Sequence, residues 1–277
     1  MPEITAAAVK ALRDRTNLPM MDCKRALDEA GGDAEKAIDL LRKAGKKTQE
    51  SKLHRATSFG RIAVAASLDA PVSAIVELRC ESAPVVTNDG FIQLANDLAG
   101  RLAAGPGAAT PDDLLAQPSP SQPGQTLREQ LDHLFNRIRE VFRVGRIARL
   151  EGPCAGYVHH TGGVGVLLEV GGKLDPTLAK DVCMHVAAIR PEVVSPADLE
   201  PALVEKEREI LREAARKEGK PEKIIDKMVE GRLLDFYAQH CLAEQPFVKD
   251  SAKTVGKVVQ EGGMTLVRFI RWEVGKE

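Results

Sequence analysis

Twice along this chain, a run alternating apolar and small residues breaks at a turn, resumes, and gives way to a helical stripe. The first run is Ile62, Val64 and Ala66, broken at Asp69-Ala70-Pro71 and resumed by Ala74-Ile75-Val76-Glu77-Leu78. Phe91, Leu94, Ala95 and Leu98 then fall on one helical face. The second is Cys154–His159, a Gly162-Gly163 turn and Val164–Val170, followed by a helix over Leu178–Ile189. A period of two suits a half-buried strand, and a period near 3.6 suits a helix. Each repeat therefore reads as a hairpin followed by a helix. Such a chain is held to the α+β class, with two related subdomains that each cover a small antiparallel sheet with helices. Thr265–Val274 supplies a last strand for the second sheet.

The segments around this doubled body differ in kind. Residues 1–46 read as three short helices. Val9, Leu12 and Thr16 mark the first, and Met21, Ala26, Leu27 and Ala30 the second, which stops at Gly31-Gly32. Asp33 is placed to cap the third helix, whose stripe is Ala37, Ile38 and Leu41 and whose end is read at Gly45. A bundle this small, similar to ubiquitin-associated (UBA-like) modules, is marginal alone and suits docking. The polar run Lys46–His54 has no apolar period, so residues 47–59 read as a linker. Residues 60–150 form the first subdomain, with a proline-rich loop and a helix expected over Leu127–Phe142. Residues 151–277 form the second. Within it, about 203–240, two charged helices with thin apolar stripes are expected to project as an antiparallel helical hairpin.

Composition excludes several functions. Lys+Arg 39 against Asp+Glu 40 leaves a net charge of −1, and 7 Phe, 2 Tyr and 1 Trp are few for base stacking. No nucleic acid and no membrane partner is expected, since no apolar run approaches the ~20 residues of a span. The start has no secretory pattern, and 5 cysteines without a CxxC pair point to a reducing cytoplasm. Gly171-Gly172-Lys173 and Gly256-Lys257 lack the P-loop spacing, and Gly162-Gly163-Val164-Gly165 belongs to a hairpin, so no nucleotide is expected on this chain. His159-His160 lacks acidic or cysteine partners at ligand spacing, and Cys183 and His185 diverge on their helix. With no nucleophile elbow either, no catalytic residue, metal or cofactor is assigned, and no enzyme is expected. Several separated contact surfaces remain, which suits gripping a large partner.

Particular segments carry a resemblance. They are Val9-Lys10, Leu12–Thr16, Met20–Leu27 and Gly31–Ala37 at one end, and Glu244–Asp250 with Lys253–Gly256 at the other. Between them lie Gly60–Ala63, Arg190-Pro191-Glu192, Glu205-Lys206-Glu207 and Met228–Arg232. Across nearly the whole chain this resembles the bacterial elongation factor Ts family, the guanine-nucleotide exchange factors of elongation factor Tu. The resemblance implies a bundle that docks on the partner's GTPase domain and a core that reaches that domain and the distal β-barrel. Contacts then disturb the Mg²⁺ and phosphate region so that GDP leaves and GTP rebinds. By position it assigns Lys10, Arg13, Met20, Met21 and His159 to partner binding. The family's intruding element, usually Thr-Asp-Phe-Val, corresponds to Ser82-Ala83-Pro84-Val85, which lacks both the carboxylate and the aromatic wedge. That departure keeps open an adaptor that binds the GTPase without releasing nucleotide. A homodimer or a two-to-two complex is also left open.

Overall fold

The computed structural model describes residues 4–16, 18–52 and 54–276, the side chains of 46, 49 and 50 aside. Residues 1–3, 17 and 53 of the expected bundle and linker lie outside the described residues. The chain divides into two compact units. One comprises Met1–Ala63, Val76–Ile147 and Val274–Glu277, the other Val64–Ile75 and Ala148–Glu273.

The first unit begins with α1 (Ala6–Thr16), α2 (Met20–Glu29) and α3 (Ala34–Lys52). Their shared core is Val9, Leu12, Leu18, Cys23, Ala26, Leu27, Ala37 and Leu41. Gly31 and Gly32 stop α2 because both take positive φ, +63° and +87°, which side chains resist. Asp33 then starts α3 by accepting the backbone N–H groups of Glu35 and Lys36, each at 3.1 Å. Gly45 does not end that helix. It lies buried in α3, where an added Cβ would sit 2.1 Å from Asn136 Oδ1. The glycine is there for close helix packing, and α3 runs on to Lys52 through much of the stretch read as a linker.

Three strands, β1 (Phe59–Ala65), β2 (Val72–Cys80) and β3 (Arg143–Glu151), form a sheet of order β1-β2-β3, and the division between units falls within each of them. A 3₁₀ turn, Ala83–Thr87, leads into α4 (Asp89–Ala104), whose first N–H groups are accepted by Asn88. The proline-rich loop holds only α5 (Pro111–Leu115), and Thr126 with Glu129 forms a reciprocal cap on α6 (Leu127–Ile138). α6 stops short of the expected Phe142 because Arg139 turns left-handed at φ +67°. Phe142 still enters the core, its ring 5.5 Å from that of Phe91.

In the second unit β4 (Cys154–Val158), β5 (Val164–Gly172) and the last strand form an antiparallel sheet, with Gly156 opposite Leu167 and Leu167 opposite Ile270. α7 (Pro176–Ile189) opens on Asp175, which accepts from Thr177 and Leu178. α8 (Pro201–Lys217) and α9 (Glu222–His240) make the expected hairpin around Ala215, Ile225, Val229 and Leu233. Arg208–Glu230, Arg212–Asp226 and Arg232–Glu218 pairs lace its outside. The chain then forms β6 (Pro246–Phe247), β7 (Asp250–Thr254), α10 (Val255–Glu261) and β8 (Met264–Glu273). α7, α10 and the sheet enclose Val166, Leu168, Val170, Val182, Val186 and Met264. Among the described residues no helix is long and apolar enough to cross a membrane.

Candidate functional site

Pro19 fixes the entry to α2, so Met20 and Met21 occupy its first turn. Three to four residues per turn carry Cys23, Ala26 and Leu27 inward, which leaves Met20 48% and Met21 62% exposed. Met21 therefore stands off the buried face formed by Cys23, Ala26 and Leu27. Two unbranched thioethers at a helix start give a polarizable, adaptable apolar surface. Lys10 and Arg13 are exposed on α1 and add positive charge to the same bundle.

Ser82-Ala83-Pro84-Val85 is not an open loop tip. Val85 is buried, 7% exposed, and anchors the 3₁₀ turn, while Ala83 and Pro84 face solvent. Ser82 donates twice to the Glu140 carboxylate, from its N–H at 3.1 Å and its hydroxyl at 2.6 Å. Beside it, the Glu81 carboxylate accepts the Val141 N–H at 2.7 Å and pairs with Arg55 at 3.1 Å. Burial works to raise the Glu81 pKa, but the Val141 N–H and the Arg55 guanidinium outweigh it and hold the group below its ordinary value.

The residue before Glu140, Arg139, reaches Asp22, the neighbour of Met21, at 2.5 Å. The Arg139 carbonyl accepts the Lys52 ammonium at 2.6 Å. The Met20-Met21 turn and the Ala83-Pro84 turn are thus both tied to the corner that ends α6. Sequence reasoning missed Asp22, Arg139 and Glu140. Nothing local marks them, since their partners are long-range and a left-handed arginine has no signature.

His159 belongs to the second unit, at the end of β4. It is half-buried, its Nδ1 lies 3.0 Å from the Tyr157 hydroxyl, and its ring centroid is 4.2 Å from that of His160. The tight turn that follows is closed by the Gly162 N–H on the His159 carbonyl at 2.7 Å.

Elsewhere the chemistry is structural. His185 is fully buried. It accepts the Val248 N–H at Nδ1, 3.3 Å away, and so donates from Nε2 to Gln245 Oε1 at 2.9 Å. Burial lowers its pKa against the Gln245 bond, which favours the neutral ring. The Cys183 thiol, in the same core, is pushed up to about 12 by burial, and Cys80 likewise to about 12, first by burial and then by Glu140. Neither is a thiolate at neutral pH. Among the described residues no group of three or more His, Cys, Asp or Glu side chains could hold a metal ion.

The family described as elongation factor TS matches residues 84–276. Elongation factor Ts of Thioalkalivibrio sulfidiphilus is 41% identical over 276 residues, covering 99% of this chain and 92% of the relative. That of Methylococcus capsulatus is 42% identical over 277 residues, with 99% and 92% covered. That of Thermobifida fusca is 40% identical over 282 residues, with 100% of both chains covered. With matches of this length, and the bundle, the doubled hairpin-and-helix body and the helical hairpin all in place, the chain belongs to the elongation factor Ts family.

Proposed function

We propose that this chain is the guanine-nucleotide exchange factor of elongation factor Tu: it binds the GDP form and promotes GDP release so that GTP rebinds. The observation that carries this reading is likeness to elongation factors Ts over essentially the full chain. Exchange requires no bond chemistry from the factor. It requires tighter binding to the nucleotide-free partner than to the GDP complex, because a ligand with equal affinity for both shifts nothing. Phosphate and Mg²⁺ contacts are the natural target, since they hold the nucleotide in such GTPases.

Residues 1–46 serve as the docking bundle through Lys10, Arg13, Met20 and Met21, and His159 serves the second subdomain. Ser82–Val85 takes the place of the intruding element by shape, through the solvent-facing Ala83 and Pro84. The factor works in the cytoplasm and holds no nucleotide, metal or cofactor of its own. The deciding experiment follows labelled GDP leaving cognate elongation factor Tu, with and without this chain. Acceleration at substoichiometric amounts supports exchange, and tight binding without acceleration means an adaptor. Absence of binding removes both.

A further inference from the structure

The two exposed turns of the first unit, Met20-Met21 and Ala83-Pro84, are distant in sequence but share one fastening. α6 ends where Arg139 takes φ +67°, a conformation that costs a non-glycine residue steric strain and that glycine adopts freely. What arginine adds there is reach. Its guanidinium bonds Asp22 at 2.5 Å, next to Met21 in α2, and its carbonyl takes the Lys52 ammonium at the end of α3. The next residue, Glu140, accepts both the N–H and the hydroxyl of Ser82, which opens the 3₁₀ turn carrying Ala83 and Pro84. Adjacent residues thus grip two turns that are both assigned to the partner.

The Arg139–Asp22 link adds little to stability by itself. The Arg139–Asp22 pair is partly exposed, 32% and 20% at the side chains, so water screens it. Asp22 also bonds Arg25 on its own helix and keeps a partner if Arg139 is lost. What the corner does fix is geometry. Two docking turns held in register lose less freedom on binding than two that move separately.

We propose that Arg139 and Glu140 are positioning residues, which hold the Met20-Met21 and Ala83-Pro84 turns as one pre-organised surface for the nucleotide-free GTPase. This rests on the exchange reading above. The test uses the full chain with Arg139→Gly, Arg139→Lys and Glu140→Ala, measuring affinity for nucleotide-free elongation factor Tu, GDP release and melting temperature. Glycine keeps the left-handed corner without strain, so Arg139→Gly should melt close to the wild type yet bind roughly fivefold more weakly. Arg139→Lys, which restores a cation for Asp22, should recover most of that loss. Double-mutant cycles should couple Arg139→Gly with Met21→Ala, and Glu140→Ala with Pro84→Gly, because each pair acts through one fastening.

If the wild type binds and accelerates release while these variants match it, or the cycles are additive, the positioning role falls and the exchange reading stands. If affinity and melting temperature fall together and lysine recovers neither, the corner is a structural fastening and the proposal is wrong. A wild type that neither binds nor accelerates removes the exchange reading and this proposal with it.

Discussion

The first turn of α2 and the pair Gln245 and Phe247 both carry the likeness to elongation factor Ts, yet the first is exposed and the second is buried. Met20 and Met21 are about half exposed or more, at 48% and 62%, whereas Gln245 and Phe247 are at 1% and 4%. Gln245 holds the buried His185, and Phe247 packs its ring 5.8 Å from the same imidazole. Family likeness therefore marks residues that fold the chain and residues free to touch a partner alike, and burial is what separates them. The sharpest break of this comparison is Phe247→Ala. Removing a core phenyl should cost about 3–5 kcal/mol and lower the melting temperature, with exchange falling only as the folded fraction falls. An unchanged melting temperature with slower exchange would put Phe247 on the partner surface and undo the distinction.

A second test concerns how the N-terminal bundle is attached. Gly45→Ala should destabilise, because its Cβ would meet the amide of Asn136, itself 8% exposed. Overpacking costs about 1–3 kcal/mol, against a helix-propensity gain of about 0.5–1 kcal/mol. A rise in melting temperature would mean that Asn136 yields and that the bundle is loosely held.

Gly45 also shows where sequence reading stops. Gly31-Gly32 and Asp33 were legible because turn chemistry and capping act between residues a few places apart. Gly45 looked like a helix end because its partner, Asn136, is far along the chain and reachable only through tertiary packing. β3 passed unseen for a related reason. Its residues are mostly half-buried, and Arg146 reaches the buried Glu77 at 3.0 Å, so arginine stands where an apolar residue would have shown the strand. Of the candidate site, the exposed methionines and the altered 82–85 segment came from likeness to the family. The Arg139–Glu140 corner that ties them has no local pattern.

The exposed half of the comparison is sharpened by Met20→Ala combined with Met21→Ala. Affinity for nucleotide-free elongation factor Tu should fall roughly tenfold, which is ~1.4 kcal/mol. The melting temperature should barely move, since surface changes stay within about 0.5 kcal/mol each. A large loss of melting temperature would instead mean that the methionines support the bundle, and the two regions would cease to differ.

The smallest effect is expected at Pro84, where the contrast between folding and touching is finest. Val85 is buried and anchors the turn, while its neighbour Pro84 faces solvent. With no carboxylate and no phenyl in this segment, any push on the partner's Mg²⁺ and phosphate region must come from the shape of a stiff turn. Proline supplies stiffness by fixing φ near −65°, and Glu140 adds to it by clamping Ser82 at both its N–H and its hydroxyl. Pro84→Gly should therefore slow GDP release roughly two- to fivefold, equivalent to ~0.4–1 kcal/mol at the transition state. Glycine also widens the unfolded ensemble, so folding stability should drop by about 0.4–1 kcal/mol. Pro84→Ala separates the two effects, since alanine loses the ring but regains part of the backbone restriction and should release GDP at an intermediate rate. If both variants release GDP at the wild-type rate while melting lower, Pro84 serves only the fold, and exchange must proceed through the α2 turn and the second unit.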